Sequence, residues 1–424
     1  MQKEEFLYIL SKAESPIDVV MAWGIYKSID DNSKAIISLE NYEKDALPKN
    51  FTKTVFYENN DFSPYFQSEN LFYIDNEILK NMITSTNDTM IPIDYSVMFD
   101  TNYASYIHQF VNNDMYDLNN EVFASIALLL REEFQYDYNF YLVENSKGID
   151  LNNDFDIEYF KKKYFKVYRN IVSLELFKSI NSDIFKKEGK VQYTISTVEA
   201  EQNAEIIIEN LFCDEKGKQF FNEMSFLQKL MTLLLIGVFR INFSSKRNAQ
   251  KKIIELFDFM NEQVGIYFER EAIVAYKYFK EQGKFRIFSK IQKNADTTNL
   301  LETINNISWD FIAPRFMEYF MKVGGEGKFF IPFFLSHDAG LREVIKLFKI
   351  KGVFFEGFES FIPLPSINTQ EYYDSENCKI DFDFYFSSES KSKRAIRVNE
   401  NRKEIDKIIN QEYNKLLTQI SNSK

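Results

Sequence analysis

The chain has 424 residues, of which 45% are hydrophobic and 27% are charged, so it is not globally disordered and can bury a large core. Its only histidines are His108 and His337, and its only cysteines are Cys213 and Cys378. These numbers exclude a Cys/His zinc site, a disulfide framework and a multi-histidine metal cluster. The net charge of −12 argues against a non-specific nucleic-acid coat. A metal ion would have to use oxygen ligands, and the 63 Asp and Glu residues provide them.

Residues 1–90 are expected to form an N-terminal α+β module. A helix is predicted over 16–28, and Asn, Asp and Pro residues break the remainder into short segments. The acidic N-terminus shows no secretion signal, and the longest apolar run, 230–239, is about half of the roughly 20 residues that a membrane span needs. We therefore expect a cytoplasmic protein with no membrane segment, and its unpaired cysteines fit a reducing compartment.

Residues 91–149 begin as strand, acidic turn and helix, which is the opening of a β–α–β unit. The run 91–99 is apolar and predicts a strand, whereas 103–111 carries apolar residues at helical spacing. Asp100 lies between them, at the carboxyl end of the strand. A second helix, a short apolar segment and an acidic residue follow, at 119–134, 140–143 and Glu144.

Residues 150–300 are predicted to be a mostly helical insertion. No proline occurs between Pro92 and Pro314, which suits long helices. The helical patterns cover 157–180, 197–212, 219–240 and 248–281.

Strand signals return after residue 300. A helix is predicted over 308–321, with Ser308 as a possible N-cap and Asp310 near its start. The continuous apolar run 329–335 predicts a buried parallel strand, which ends at Ser336 and Asp338. The remaining predicted elements are a helix over 339–348, a strand over 352–355 and, in the polar tail, a final helix near 402–419.

Asp100 and Asp338 share one context, because each follows an apolar strand and precedes a helix. The carboxyl ends of parallel strands gather in one crevice, where two carboxylates can share a hard divalent cation such as Mg²⁺. Asp310 and Glu144 could complete the ligand set. Equally, Asp100 and Asp338 could each cap the helix that follows, since Asp is a favoured N-cap.

These segments resemble a known family. The sequences VMFDTN at 97–102 and FFLSHDAGL at 333–341 are similar to an opening strand and a late strand of PIN-like (PilT N-terminus-like) nucleases, and Trp309-Asp310 matches the acid of the preceding helix. The resemblance implies an α/β fold with a parallel-sheet, three-layer PIN-like core. The expected domains are 1–90 (N-terminal module), 91–149 and 301–356 (the two halves of the core), 150–300 (helical insertion) and 357–424 (C-terminal tail).

The resemblance also implies a function, that of a Mg²⁺- or Mn²⁺-dependent nuclease acting on RNA rather than DNA. Asn102 and Ser336 would support the ligands, and His337 and His108 have no assigned catalytic role. A place in a bacterial toxin or defence system follows from the resemblance alone. The implied metal-binding and catalytic residues are Asp100, Glu144, Asp310 and Asp338, and Glu175 is an alternative to Glu144 as the family's Glu.

Two other functions remain open. The first is a non-catalytic interaction protein, in which the helical insertion binds a protein partner and the PIN-like core is a degenerate scaffold. The second is a DNA nuclease of the flap or nicking type.

A basic stretch offers a path for a nucleic-acid strand. Residues 240–293 carry twelve Lys or Arg against six Asp or Glu, a local net charge of +6. Cations that alternate with aromatic residues can bind phosphate while the rings stack on bases. The alternative is an ordinary solvated helix face. The candidate nucleic-acid-binding residues are Lys277, Lys280, Lys284, Arg286 and Lys290.

Overall fold

The protein is described by a computed structural model, which is mixed α/β. Lys284 lies outside the described residues, as does part of the helix predicted over 119–134. The described residues are 1–26, 28–40, 42, 55, 61–84, 91–112, 121–132, 134–146, 149, 155–244, 246–281, 286–292, 297–323, 325–347, 349–357 and 360–421.

The described strands form two four-stranded sheets. They are β1 (Lys34–Ser38), β2 (Phe62–Pro64), β3 (Leu71–Asp75), β4 (Ile93–Phe99), β5 (Tyr136–Asp137), β6 (Phe329–Leu335), β7 (Ile350–Glu356) and β8 (Ser360–Pro365).

The helices of the first half of the chain include most of those that surround the sheets. They are α1 (Lys3–Lys12), α2 (Pro16–Ile25), α3 (Asn76–Thr84), α4 (Thr101–Asn112), α5 (Glu121–Arg131), α6 (Asn139–Asn145), α7 (Ile157–Lys163), α8 (Phe165–Lys178), α9 (Ser182–Glu188) and α10 (Thr197–Phe212).

The second half of the chain is mainly helical. Its α-helices are α11 (Glu215–Ser244), α12 (Ala249–Phe259), α13 (Glu269–Lys280), α14 (Leu300–Val323), α15 (Ala339–Leu347), α16 (Thr369–Ser375), α17 (Phe382–Phe386) and α18 (Ser388–Ser421). A π-helix (Met260–Val264) follows α12, and a 3₁₀ turn (Arg286–Phe288) precedes α14.

One sheet has the order β3-β1-β7-β8 and is antiparallel throughout. Because β1 pairs with β7, residues 1–90 share this sheet with the chain's last strands instead of forming a sheet of their own. Its hydrophobic core includes Phe6, Trp23 and Phe354, whose rings make edge-to-face contacts. The boundary expected at residue 90 is therefore not visible in the strand pairing.

The other sheet has the order β2-β6-β4-β5 and contains the parallel strands. β4 pairs with β6 in parallel over seven residues, β4 pairs with β5 in parallel, and β2 runs antiparallel to β6. Every residue of β6 is buried, as the continuous apolar run predicts. The parallel arrangement of the two predicted strands is thereby confirmed.

The chain divides into two compact units. The first comprises residues 1–221 and 314–366 and contains both sheets, whereas the second comprises 222–313 and 367–424 and is helical in its described part. The boundaries expected at 150 and 300 do not coincide with this division. Within the first unit, α8 packs on α4 and α10 packs on α8, so these helices of the predicted insertion belong with the sheets.

Among the described residues, α11 is the one helix with the length and apolar composition of a membrane span. Of its most apolar 18-residue window, 67% is buried inside the protein, a property shared by core helices of soluble proteins. The uninterrupted apolar run 230–239 is much shorter than the apolar part of this helix, because polar residues separate the apolar ones on either side of the run.

Two helix starts differ from their predictions. α14 begins at Leu300, so Ser308 is not an N-cap and Asp310 lies well inside the helix. Ser308 instead donates from its hydroxyl to the carbonyl of Asn305 at 2.6 Å. The last helix, α18, begins at Ser388, earlier than expected, and two short helices precede it.

Candidate functional site

The site lies where β4 and β6 end. The last pair of the parallel register joins Phe99 to Leu335, and both side chains are fully buried. Asp100 and Ser336 are the next residues on the two strands, so the chain places their side chains next to each other. They lie at the carboxyl ends of two parallel strands, the edge of the sheet where the sequence predicts the site.

Ser336 connects the two predicted acids. Its hydroxyl donates to Oδ2 of Asp100 at 2.6 Å and accepts a hydrogen bond from the backbone N–H of Asp338 at 3.0 Å. Ser336 is fully buried, and Asp100 is only 5% exposed. The predicted supporting role of Ser336 therefore corresponds to a direct contact with Asp100.

Both acids also cap helices. Oδ1 of Asp100 accepts from the N–H of Tyr103 at 2.7 Å, at the start of α4. Oδ1 of Asp338 accepts from the N–H of Gly340 at 2.6 Å and from that of Leu341 at 3.2 Å, at the start of α15. A cap of this kind stabilises a helix by about 1 kcal/mol. The capping interpretation is thus correct for both residues.

Glu144 lies beside this pair, on the short helix α6. The hydroxyl of Thr101 donates to Oε2 of Glu144 at 2.7 Å. The side-chain amide of Asn145 donates in turn to the hydroxyl of Thr101, also at 2.7 Å. The alternative acid, Glu175, is elsewhere: its carboxylate accepts from the hydroxyl of Tyr138 and lies 3.4 Å from Nζ of Lys178.

Two neighbouring acids act on Asp100 at this edge of the sheet. The pKa of Asp100 is raised from 3.8 to about 7: burial is the largest cause, the hydrogen bonds from Ser336 and Tyr103 oppose the rise, and repulsion by Glu144 and Asp338 adds to it. Asp100 is therefore poised between its neutral and charged forms near pH 7. Of the two glutamates, Glu144 is the one that raises the pKa of Asp100.

Asp61 also reaches this edge, and the sequence gives little sign of it. Its carbonyl accepts from the N–H of Ser336 at 3.0 Å, and its carboxylate is 5% exposed. Oδ2 accepts from the hydroxyl of Tyr103 at 2.5 Å and lies 2.9 Å from Nδ1 of His337, while Oδ1 accepts from Nη1 of Arg342 at 2.6 Å. Both oxygens are thus occupied by side chains of the protein.

The two remaining predicted site residues are Asp310 and Asn102. Asp310 belongs to the second unit, whereas Asp100, Glu144 and Asp338 belong to the first. Asn102 lies in the first turn of α4 with its side chain exposed.

The donor chemistry at this edge suits a hard cation, because the acids present only oxygen atoms and repel one another. The geometry is less complete. Within the described residues, no three His, Cys, Asp or Glu side chains form a group that could hold a metal ion. An ion would therefore require Glu144 or Asp338 to adopt a side-chain position other than the one seen.

The basic stretch is built differently from the binding surface that its pattern predicts. Arg286 and Lys290 are exposed, and Lys280 forms an ion pair with Glu376 at 2.6 Å. Lys277 is half-buried. The aromatic residues that alternate with these cations and lie in the described part are in the core, namely Tyr278, Phe279 and Phe288. These rings are not available to stack on bases, which favours the solvated helix face.

Comparison with known proteins yields no match to a family model, to a curated protein or to a solved structure.

Proposed function

We propose that the protein is a Mg²⁺- or Mn²⁺-dependent nuclease with a PIN-like core, and that it cleaves RNA in preference to DNA. The observation that carries the proposal is the state of Asp100. A buried carboxylate whose pKa reaches about 7 beside two other acids is a group that a divalent cation would neutralise. The preference for RNA and the PIN-like core rest on the sequence resemblance.

Asp100, Glu144 and Asp338 are the residues that would hold the ion. A bound ion would supply an activated water and stabilise the negative charge that develops on the scissile phosphate. Ser336 holds Oδ2 of Asp100 in one orientation, and Thr101 does the same for Oε2 of Glu144. The cap at Tyr103 fixes the remaining rotation of Asp100, whereas Glu144 or Asp338 would have to leave the position seen to complete the ligand set.

The proposal is tested with labelled RNA and DNA, with Mn²⁺ or with EDTA. We expect the parent protein to cut RNA with Mn²⁺ but not with EDTA, and Asp100→Asn and Asp338→Asn to lose at least 100-fold in rate, on the order of what metal-site groups contribute. A matched control is Asp137→Asn. Asp137 is a half-buried acid that accepts from the hydroxyl of Ser96 at 2.6 Å, and it is not among the groups that shift the pKa of Asp100. This variant should keep cutting.

Two outcomes would contradict the proposal: no cleavage of either nucleic acid by the parent, or equal cleavage by the parent and both variants. Cleavage of DNA alone would instead support the flap or nicking enzyme.

A second candidate function is a non-catalytic interaction protein on the same scaffold. The observation that favours it is that both acids already cap helices while no described group of three acids could hold a metal ion. On this view the crevice is structural, and residues 150–300 provide the surface for a protein partner. Calorimetric titration with Mn²⁺ separates the two, since only the nuclease should bind the ion and lose that binding in Asp100→Asn.

A further inference from the structure

Arg342 occupies a distinctive position at the carboxyl end of β6. It lies on α15 one turn after Asp338, and its backbone N–H donates to the carbonyl of Asp338 at 3.0 Å. Its Nη1 donates to Oδ1 of Asp61 and to the carbonyl of Ser336, each at 2.6 Å. Arg342 is thus held at the same strand end as Asp100 and Asp338.

The network behind Arg342 holds the guanidinium in one place. Asp61 is buried, and its other oxygen is engaged by Tyr103 and His337, so the carboxylate that orients Arg342 is itself immobilised. A side chain that is already ordered loses less conformational entropy when a ligand binds. The Arg342 side chain is 21% exposed, so part of it still reaches solvent.

The hydrogen bonds of Arg342 leave much of its donor capacity unused. A guanidinium has five N–H donors in one plane, and both bonds named above start from Nη1. Within the described part of the chain, Nη2 and Nε make no hydrogen bond. These nitrogens can therefore still donate to a ligand.

We propose that Arg342 binds a phosphate oxygen of a nucleic-acid strand and holds the phosphodiester against the crevice of Asp100 and Asp338. This inference rests on the proposed nuclease function and names the residue that positions its substrate. Guanidinium is suited to the task because its planar fork matches two phosphate oxygens.

The test measures the binding of a short fluorescent single-stranded RNA by fluorescence anisotropy. EDTA is present throughout so that the RNA is not cleaved. We expect Arg342→Gln to weaken binding by roughly 10- to 100-fold, the range of a charge-assisted hydrogen bond. Arg342→Lys keeps a positive charge near Asp61 but loses the fork, and should lie between Arg342→Gln and the parent. Lys346→Gln is the matched control, because Lys346 is exposed on the same helix one turn later.

The salt dependence separates a phosphate contact from a structural role. Loss of one contact to single-stranded nucleic acid should reduce the slope of log K against log salt by about 0.7. A merely structural Arg342 would lower the melting temperature in Arg342→Gln without changing that slope. Arg342→Lys covers the case in which Arg342→Gln does not fold, since it keeps a cation beside Asp61.

The inference is overturned if the parent does not bind the RNA, or if both variants bind it as tightly and with the same slope as the parent. Neither result overturns the nuclease proposal, which the cleavage assay tests separately. Conversely, a parent that binds RNA through Arg342 but cuts no nucleic acid would overturn the nuclease function and leave the phosphate contact in place.

Discussion

Replacing Asp100 by Asn should make the protein more stable at alkaline pH, although the residue lies in the best-defined part of the site. The pKa of Asp100 is raised from 3.8 to about 7 in the folded protein, chiefly by burial. Folding therefore favours the protonated form. Between pH 4 and pH 7 the folded state binds a proton that the unfolded state has released, so stability falls as the pH rises and levels off above pH 7. An asparagine has no charge to lose.

The size of the stability change follows from the difference between the pKa of Asp100 in the unfolded protein, 3.8, and in the folded protein, about 7. About three pH units, at about 1.4 kcal/mol each, give on the order of 4 kcal/mol of lost stability above pH 7. About two of those units lie between pH 5 and pH 8, so the stability of the variant relative to the parent should rise by about 3 kcal/mol over that range. The variant should pay roughly 1 kcal/mol at every pH, because its amide cannot accept the bond from Ser336 as a carboxylate does.

Urea unfolding followed by circular dichroism at pH 5, 6, 7 and 8, in EDTA, measures this difference. An exposed acid provides the control, and Asp383→Asn should show a nearly constant difference from the parent across the same range. A difference between Asp100→Asn and the parent that stays constant from pH 5 to pH 8 would refute the reasoning. It would mean that Asp100 keeps an ordinary pKa and that the crevice is wetter than the structure indicates.

Two further changes test the packing around the site. Ser336→Ala removes the hydroxyl that donates to Asp100. It should lower the free energy of unfolding in urea by about 1–3 kcal/mol at pH 8, and by less at pH 5, because a neutral carboxyl depends less on the donor. An equal loss at both pH values would contradict this explanation. Gly352→Ala should lower the free energy of unfolding by about 1–3 kcal/mol at any pH, because a Cβ there would lie 2.8 Å from the carbonyl oxygen of Ile36 on the neighbouring strand. An unchanged urea midpoint would show that the two strands can move apart to accommodate the methyl group.

The sequence predicts the centre of the site because its signals are local. A long apolar run, an acid and an amphipathic helix follow one another twice, at Asp100 and at Asp338, and parallel pairing then brings the two strand ends together. Asp61 has no such signal. β2 is only three residues long and runs antiparallel, so Asp61 reaches the edge from the amino end of its strand, where the rule for parallel strands does not apply.

The misplaced residues have equally physical causes. Ser308 followed by Asp310 looks like a helix start, but α14 begins at Leu300, so the local capping signal is overridden inside a longer helix. The alternation of cations and aromatic residues over 277–280 arises from one helix face that packs inward and another that faces solvent. Tyr278 and Phe279 are buried, whereas Lys280 is exposed. Composition alone does not distinguish this face from a binding surface.

Capping and ligation are compatible roles for Asp100, and the choice of side chain bears on which of them dominates. Asn caps a helix about as well as Asp does, so the cap at Tyr103 does not by itself require a carboxylate. Burying a carboxylate between two other acids costs stability, as the raised pKa of Asp100 shows, and an amide would avoid that cost. The carboxylate has lone pairs beyond those that accept from Tyr103 and Ser336. A cation bound to them would remove the repulsion from Glu144 and Asp338 and offset the cost of burial, which is the physical reason to expect one in this crevice.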